Sequence, residues 1–377
     1  MFGVVKEFNM SLISIQKTPD YSSKAMELAV KTHFEALGVA ADLKKDTKVL
    51  IKPNLVSPRK PDTATTTHPE FVFAVVKWLH AHGVRNITIA DSPGGLYTPQ
   101  TLKNTYTVCG YNGIGAFAAL NYDTSWQTVH CDESFRNKTF NIITPILEAD
   151  YIINMPKLKT HGMMTLSGAV KNMFGSVPGI QKPEMHYRWP EINDFADMLI
   201  ELTMHLKPNI TLVDAVESME GNGPNSGSKK YAGVTFASRD PFTLDKVMAD
   251  FMKLGSIPML QEYERMGLIK TPEYIGDAVE GTGFKLPDTA SLDFTDKVPK
   301  FLRGPAKRFM EKALHPVPKV SRRKCIGCGK CAESCPPHII IIKNRKAKFT
   351  SKGCISCFCC QEMCPVHAIS VKRMINL

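Results

Sequence analysis

The sequence predicts an α/β protein: a mostly parallel sheet flanked by helices, followed by a small α+β unit. Two observations predict it. Compact apolar segments alternate with segments of helical periodicity through residues 1–296. The last fifty-odd residues instead carry two cysteine arrays, each followed by a short apolar run. The chain has 377 residues, enough for a large domain and a small one, and 43% of them are apolar, enough for a sizeable core. No stretch approaches a membrane span.

In the large domain, LISI at 12–15 reads as a strand and precedes a helical stretch from Ser22 to Leu37. KVLIK at 48–52 is a compact buried strand. Phe71, Val72, Val75, Val76 and Leu79 lie at helical spacing within 69–82. NITIAD at 86–91, YIINM at 151–155, ITLVD at 210–214 and GVTFAS at 233–238 are further strands. Phe195, Leu199, Leu202 and Leu206 mark a helix before ITLVD, and Leu244, Val247, Met248 and Phe251 mark one after GVTFAS. Strand–helix alternation of this kind favours a parallel sheet.

The residues that leave each strand point to a site. KVLI runs into Lys52-Pro53-Asn54, NITIA into Asp91-Ser92-Pro93-Gly94-Gly95, and YIINM into a loop from Pro156 to Gly162. ITLV runs into the segment Asp214–Gly223, and GVTFA into Ser238-Arg239-Asp240-Pro241. Strand carboxyl ends of a parallel sheet share one edge, where ligands bind, so five polar or Gly-rich exits are expected to converge there. Lys52, Lys157, Lys159 and Lys171 form a candidate cage for a carboxylate or phosphate, with Asn54, Asn172, Ser92, Glu220 and Asn222 as polar neighbours. Gly94 and Gly95 admit close backbone approach. A helical segment over about Met163–Phe174 aims its amides at the same crevice. His68, His161 and His186 are candidate proton carriers, and Asp214, with Glu217 and Glu220, a candidate base or cation ligand. Asp91 and Asp214 also suit helix caps. No Walker A sequence, no GxGxxG after a strand and no nucleophile elbow is present, so ordinary nucleotide binding and Ser-hydrolase chemistry lack support.

The small unit is more specific. CIGCGKCAESCP at 325–336 and CISCFCCQEMCP at 354–365 both read Cys-x2-Cys-x2-Cys-x3-Cys-Pro. This is the ligand spacing for two 4Fe–4S clusters, in which the cysteine before proline serves the other cluster. Cys325, Cys328, Cys331 and Cys364 are thus expected at one cluster, and Cys354, Cys357, Cys360 and Cys335 at the other. The runs IIII at 339–342 and AISV at 368–371 complete a pseudo-twofold ferredoxin-like unit of short strands and helices. Disulfides need an oxidising compartment, and zinc knuckles use paired cysteines; neither fits two full tetrads ending in proline. Cys359 is an extra, and Cys109 and Cys131 suit buried thiols. Oxygen-labile clusters without an export signal imply a reducing cytoplasm.

The charge is uneven. Residues 297–377 hold 18 Lys or Arg against 3 acidic residues, a net +15, and the first 296 carry −4. Eight thiolates and two oxidised cores add roughly −4, so the basic residues balance the clusters or dock an acidic electron-transfer partner. That explanation disfavours nucleic acid. Residues 297–324 are a basic, proline-punctuated connector with room for one short helix from Pro305 to Leu314. The division expected is a domain over 1–296, a linker over 297–318 and a ferredoxin domain over 319–377.

Several stretches together resemble the domain-of-unknown-function 362 family, whose members are often fused to a bacterial-type ferredoxin. They are KVLIKPNLV at 48–56, TTTHPE at 65–70, IADSPGG at 89–95, the distinctive NMPKLKTHGMMTLSGAVKNMFGSVPG at 154–179, EMHYRWPEINDFADML at 184–199, DAVESMEGNGPNSG at 214–227 and ASRDPFTLDKVMADFM at 237–252. The resemblance implies an α/β domain distantly like the amino-terminal part of nickel-dependent lactate racemases, with clusters that serve redox. The functional expectation is an iron–sulfur oxidoreductase acting on an anionic small molecule. The alternatives are a carrier or assembly factor that binds a protein partner, and a lyase or ligase-like activity with structural clusters.

Overall fold

The computed structural model describes residues 9–289, 317–350 and 353–372. In chain order the strands are β1 (Met10–Lys17), β2 (Val49–Pro53), β3 (Ile87–Ile89), β4 (Ala119–Leu120), β5 (Trp126–His130), β6 (Thr139–Ile143), β7 (Tyr151–Met155), β8 (Lys157–His161), β9 (Thr165–Ser167), β10 (Ile210–Glu220), β11 (Ser228–Ser238) and β12 (Thr271–Gly276). The main sheet follows the order β12-β1-β11-β10-β7-β2-β3-β4, with β8 on β10 and β9 on β8. Along that path β11 alone runs against its neighbours. The remaining pairs are parallel.

Strand residues alternate between two cores, as the two-residue side-chain period requires. Val49, Ile51, Ile153, Leu212 and Val216 face one, with Met26, Val30 and Phe34 of the helix Ser23–Ala36 and Val72, Val75 and Leu79 of the helix Pro69–Ala81. Leu50, Ile152, Val213 and Ala215 face the other, with Phe195, Leu199 and Leu202 of the helix Ile192–Leu206 and Leu244 and Met248 of the helix Pro241–Phe251. The first of these helices starts on Ser22, whose hydroxyl accepts from the Ala25 amide at 3.4 Å. The last starts on Asp240, which accepts from Phe242 and Thr243.

Three expectations change. First, β10 continues to Glu220, because Val216, Ser218 and Met219 are also buried. Only residues 221–227 then separate it from β11, too few for a crossover of a dozen or more, so β11 returns as a hairpin partner. The exit at Ser238–Pro241 therefore lies on the opposite edge, and four strand exits, not five, share one edge. Second, the expected loop after YIINM is the strand β8. Pro156 lacks an amide hydrogen and interrupts what is otherwise one path from β7 to β8 beside β10. Third, the helical segment over 163–174 shrinks to Ala169–Asn172 and the 3-10 turn Met173–Ser176, preceded by β9. The buried Asp245 carboxylate accepts from the Ala169 and Val170 amides and fixes that late start.

The small unit has β13 (Val317–Val320), β14 (Ile340–Lys343), β15 (Lys346–Phe349) and β16 (Ile369–Lys372), pairing β13 with β16 and β14 with β15. Its first strand begins two residues before the expected boundary at 319. The helix expected over 305–314 lies outside the described residues.

Candidate functional site

The carboxyl ends of β2, β3 and β8 and the turn that carries Lys171 surround a cavity with about 770 Å3 of empty volume. Asn54 comes from just beyond β2, Ser92, Gly94 and Gly95 from beyond β3, and Lys159 and His161 from β8. The opposite wall belongs to the small unit: Ser334, Cys359, Glu362 and Met363. Hydrogen bonds hold this seam. Asn225 Nδ2 donates to the Glu362 carbonyl at 2.8 Å, and Ser226 Oγ meets His367 Nδ1 at 2.7 Å.

The four expected lysines divide. Lys52 pairs with Asp91 at 2.8 Å, and Asp91 also accepts from the Leu55 amide at 2.6 Å. Lys157 pairs with Asp214 at 2.9 Å, and both bond to Tyr21 at 2.7 Å. These two ammonium groups are already neutralised. Lys159 spends two donors on neutral acceptors, Asn54 Oδ1 at 3.1 Å and the Thr65 carbonyl at 2.7 Å. Burial, with the charges of Lys171 and Lys157, pushes it down to about 7. Lys171 lines the cavity and has no hydrogen bond or ion pair among the described residues. Lys182, absent from the sequence expectation, also lines the cavity and donates to the Ser92 carbonyl, Ser92 Oγ and the Pro93 carbonyl at 2.7, 3.0 and 3.3 Å. Burial pushes it down to about 7 as well. Its signal was its place four residues before His186, on one helical face. Asn54, Asn172 and Asn154 form an amide chain, at 3.0 and 2.8 Å, that ties the turn carrying Lys171 to β2 and β7.

His161 and His186 reach the cavity and His68 does not. His161 Nδ1 accepts from the Met163 and Met164 amides at 3.1 and 3.2 Å, so the neutral ring carries its proton on Nε2. Burial first, then Lys171, pushes this imidazole down to about 4. With Nδ1 engaged and Nε2 protonated, His161 is a fixed donor. Its Nε2 approaches Glu362 Oε1 to 3.2 Å without hydrogen-bond geometry. Burial opposes ionisation of Glu362, but the facing His161 and Lys171 outweigh it and hold the carboxyl below its usual range. His186 stacks on Phe195 at 4.1 Å, and burial pushes it down to about 3. His161 Nε2, His186 Nδ1 and Glu362 Oε1 are all buried without a hydrogen-bond partner among the described residues. Buried polar atoms are as a rule satisfied. Three more orphans, Thr66 Oγ1, Ser176 Oγ and Ser218 Oγ, lie outside this lining, but those of His161, His186 and Glu362 converge on one cavity, the mark of a polar ligand site.

The remaining candidates serve elsewhere. His68 caps the helix Pro69–Ala81, stacks on Tyr21 at 3.7 Å, and donates its amide to Asp214 at 2.9 Å. Glu220 accepts from the Lys285 amide, and Asn222 exchanges two bonds with Asp288, so both tie down the segment after β12. Glu362 was the strongest residue missed. Its signal was sign: it is one of only 3 acidic residues in the basic 297–377 region.

Two smaller cavities lie among the cysteines of the small unit. Cys325, Cys328, Cys331 and Cys364 line one, with about 320 Å3 of empty volume. Cys335, Cys354, Cys357 and Cys360 line the other, with about 290 Å3. The crossed tetrads expected from the spacing therefore each surround one space, and all eight thiols are free of disulfides. The Ala347 amide donates to Cys325 Sγ and the Ala368 amide to Cys364 Sγ, as thiolate ligands require. The residues fit 4Fe–4S cubanes. Cys359 lines neither space.

A family model described as "Domain of unknown function (DUF362)" matches residues 49–250, more than half of the chain. A "4Fe-4S dicluster domain" model matches residues 324–368. The thylakoid-associated protein sll1697 of Synechocystis sp. is 29% identical over 326 residues, covering 80% of this chain and 97% of that protein. The lactate racemase apoprotein of Thermoanaerobacterium thermosaccharolyticum aligns with a TM-score of 0.42 and 14% identity, over 68% of this chain and 60% of that one. Among the described residues no helix is long and apolar enough to cross a membrane. The chain belongs to the DUF362 family and carries a C-terminal 4Fe–4S dicluster ferredoxin domain.

Proposed function

We propose that this DUF362-family iron–sulfur protein is an oxidoreductase that passes single electrons between a redox-protein partner and an oxyanion in the lysine-lined cavity. Bound 4Fe–4S clusters supply one-electron chemistry. We assign Cys325, Cys328, Cys331 and Cys364 to one cluster and Cys335, Cys354, Cys357 and Cys360 to a second. The same reading divides the chain at 1–296, 297–318 and 319–377.

One observation carries the reading. The short helix Cys359–Glu362, which bears the ligand Cys360, is itself a wall of the cavity through Cys359 and Glu362. An anion on Lys171 would lie against that helix. Lys171 is the docking cation because its donors are uncommitted. Lys159 offers one further N–H, and Lys182 contributes charge. His161 orients the ligand through its fixed Nε2–H. Val56, Phe174 and Met363 limit water access. Lys52, Lys157, Asp91 and Asp214 act as positioning residues for the strand ends.

The test is anaerobic. The purified protein is reduced stoichiometrically, and cluster absorbance is followed while pools of small oxyanions are added. Reoxidation by one pool, slowed in Lys171→Met at unchanged iron content, is expected. The net +15 of residues 297–377 favours a second reading, a carrier that docks an acidic protein. Reoxidation by no pool, but rapidly by a redox protein from the same cells, would establish the carrier instead. We place the protein in the cytoplasm, where thiols stay reduced. Recovery with membranes on cell fractionation, as the name of the Synechocystis relative suggests for that protein, would overturn this placement.

A further inference from the structure

The cavity does not end at Met363. A second space, with about 1270 Å3 of empty volume, continues along the seam between the two units. The two share Gly94, Gly95, Pro183, Ser334, Glu362 and Met363 as walls. Met363 is the partition. A Cβ on Gly94 would fall 2.7 Å from its Sδ, and one on Gly95 would fall 3.3 Å from its Cε, so the thioether lies flat on the glycine pair. A thioether with three rotatable bonds can swing aside where a branched side chain could not.

The outer space differs in chemistry from the inner one. Pro58, Leu96 and Ile180 supply apolar surface, and Leu96 and Ile180 stay 58% and 55% exposed. Arg59 and Lys330 stand beside them without an ion-pair partner among the described residues. The two loops bearing Leu96 and Ile180 are locked together. Gly179 N donates to Ser92 Oγ at 2.8 Å, and a Cβ on Gly179 would run into the Gly95 carbonyl and crowd Tyr97. These jaws are preformed, so closing on a ligand costs little ordering. Binding sites of this kind pair apolar walls with a few convergent polar groups.

We propose that the site takes an elongated oxyanion: a head group on Lys171 in the inner space and an apolar, ring-sized body in the outer space between Leu96 and Ile180. The continuity of the walls makes the two spaces one site, and in the outer space Arg59 and Lys330 are balanced by Glu333 and Glu362, so the anionic head group is held at Lys171. The inference rests on the oxyanion reading of the inner cavity and adds the class of molecule.

Calorimetry on the anaerobic, cluster-loaded full chain tests it, with inorganic phosphate and 1-naphthyl phosphate as probes. Each methylene-sized group in an apolar pocket is worth about tenfold or more, so naphthyl phosphate should bind at least about tenfold tighter. Leu96→Asp and Ile180→Asp should each remove that gain and leave inorganic phosphate unaffected. Both positions are more than half exposed, so these variants keep the fold. Lys171→Met should weaken both probes. Equal affinities in the wild type, or a gain that survives both aspartates, would overturn the elongated ligand and leave the inner anion site standing. Failure of both probes to bind, or indifference of both to Lys171→Met, would remove the inner site and the inference with it.

Discussion

Lys157 sits in the most distinctive stretch of the sequence, yet its geometry assigns it to the scaffold. Its ammonium and the Asp214 carboxylate are both 0% exposed and 2.9 Å apart. Asp214 also accepts from the Tyr21 hydroxyl and the His68 amide. Lys157→Met would leave a buried carboxylate without its counter-charge, at a cost of about 3–5 kcal/mol. For a domain of this size each kcal/mol lowers the melting midpoint by about 2–4 °C, so a fall of about 6–20 °C is expected. Trp78, Trp126 and Trp189 all lie in the large domain, so tryptophan fluorescence on heating reports that unit alone. Asp214→Leu should cost a similar amount, since it strands Lys157, Tyr21 and the His68 amide together. The double variant should be less destabilised than the sum of the two by about 2 kcal/mol or more, because no unpaired charge remains. Additive losses, or single variants within about 1 kcal/mol of wild type, would refute the reasoning and return Lys157 to the set of anion ligands.

The same geometry carries other expected outcomes. Lys159 and Lys182 are pushed down to about 7, so they are charged below that pH and neutral above it; phosphate affinity should fall as pH rises through 7. Their unfolded counterparts titrate at about 10.4, so the unfolded chain holds protons the native state lacks between the two values, and fold stability should rise with pH across that window. Cys359→Ser should retain full iron and sulfide on chemical analysis, whereas Cys357→Ser should lose one cluster's share. Gly175→Ala should destabilise the large domain by about 1–3 kcal/mol in the same fluorescence assay. Its Cβ would land on the Asp91 carboxylate and 2.6 Å from Lys52 Nζ.

The periodic elements were legible. Phe71, Val72, Val75, Val76 and Leu79 are buried on one helix face as their spacing predicts, and the crossed cysteine tetrads surround separate spaces. The legible part is local: one helix turn or one array determines it. What escaped depends on contacts far apart in sequence. The direction of β11 turned on whether Val216, Ser218 and Met219 continue a strand, and a mixed polar run does not reveal that. The helix over 163–174 was shortened by Asp245, about 75 residues away. Which lysines face the cavity depended on Asp91 and Asp214, which carry the same chemistry as solvated loop residues until their partners are known. Glu362 was hidden because a cluster-binding array gives no hint that one of its side chains enters another domain.

The reversed strand also bears on how a redox unit came to sit on this sheet. A parallel successor to β10 would have required a crossover of a dozen or more residues leaving from the same edge. The hairpin turn at 221–227 occupies far less space and presents Asn225 and Ser226 outward as hydrogen-bonding pegs. The sheet thus keeps a berth open beside its own lysines. The small unit settles there with two hydrogen bonds from this turn, a third from Arg59 to the Pro365 carbonyl at 3.5 Å, and one inserted carboxylate.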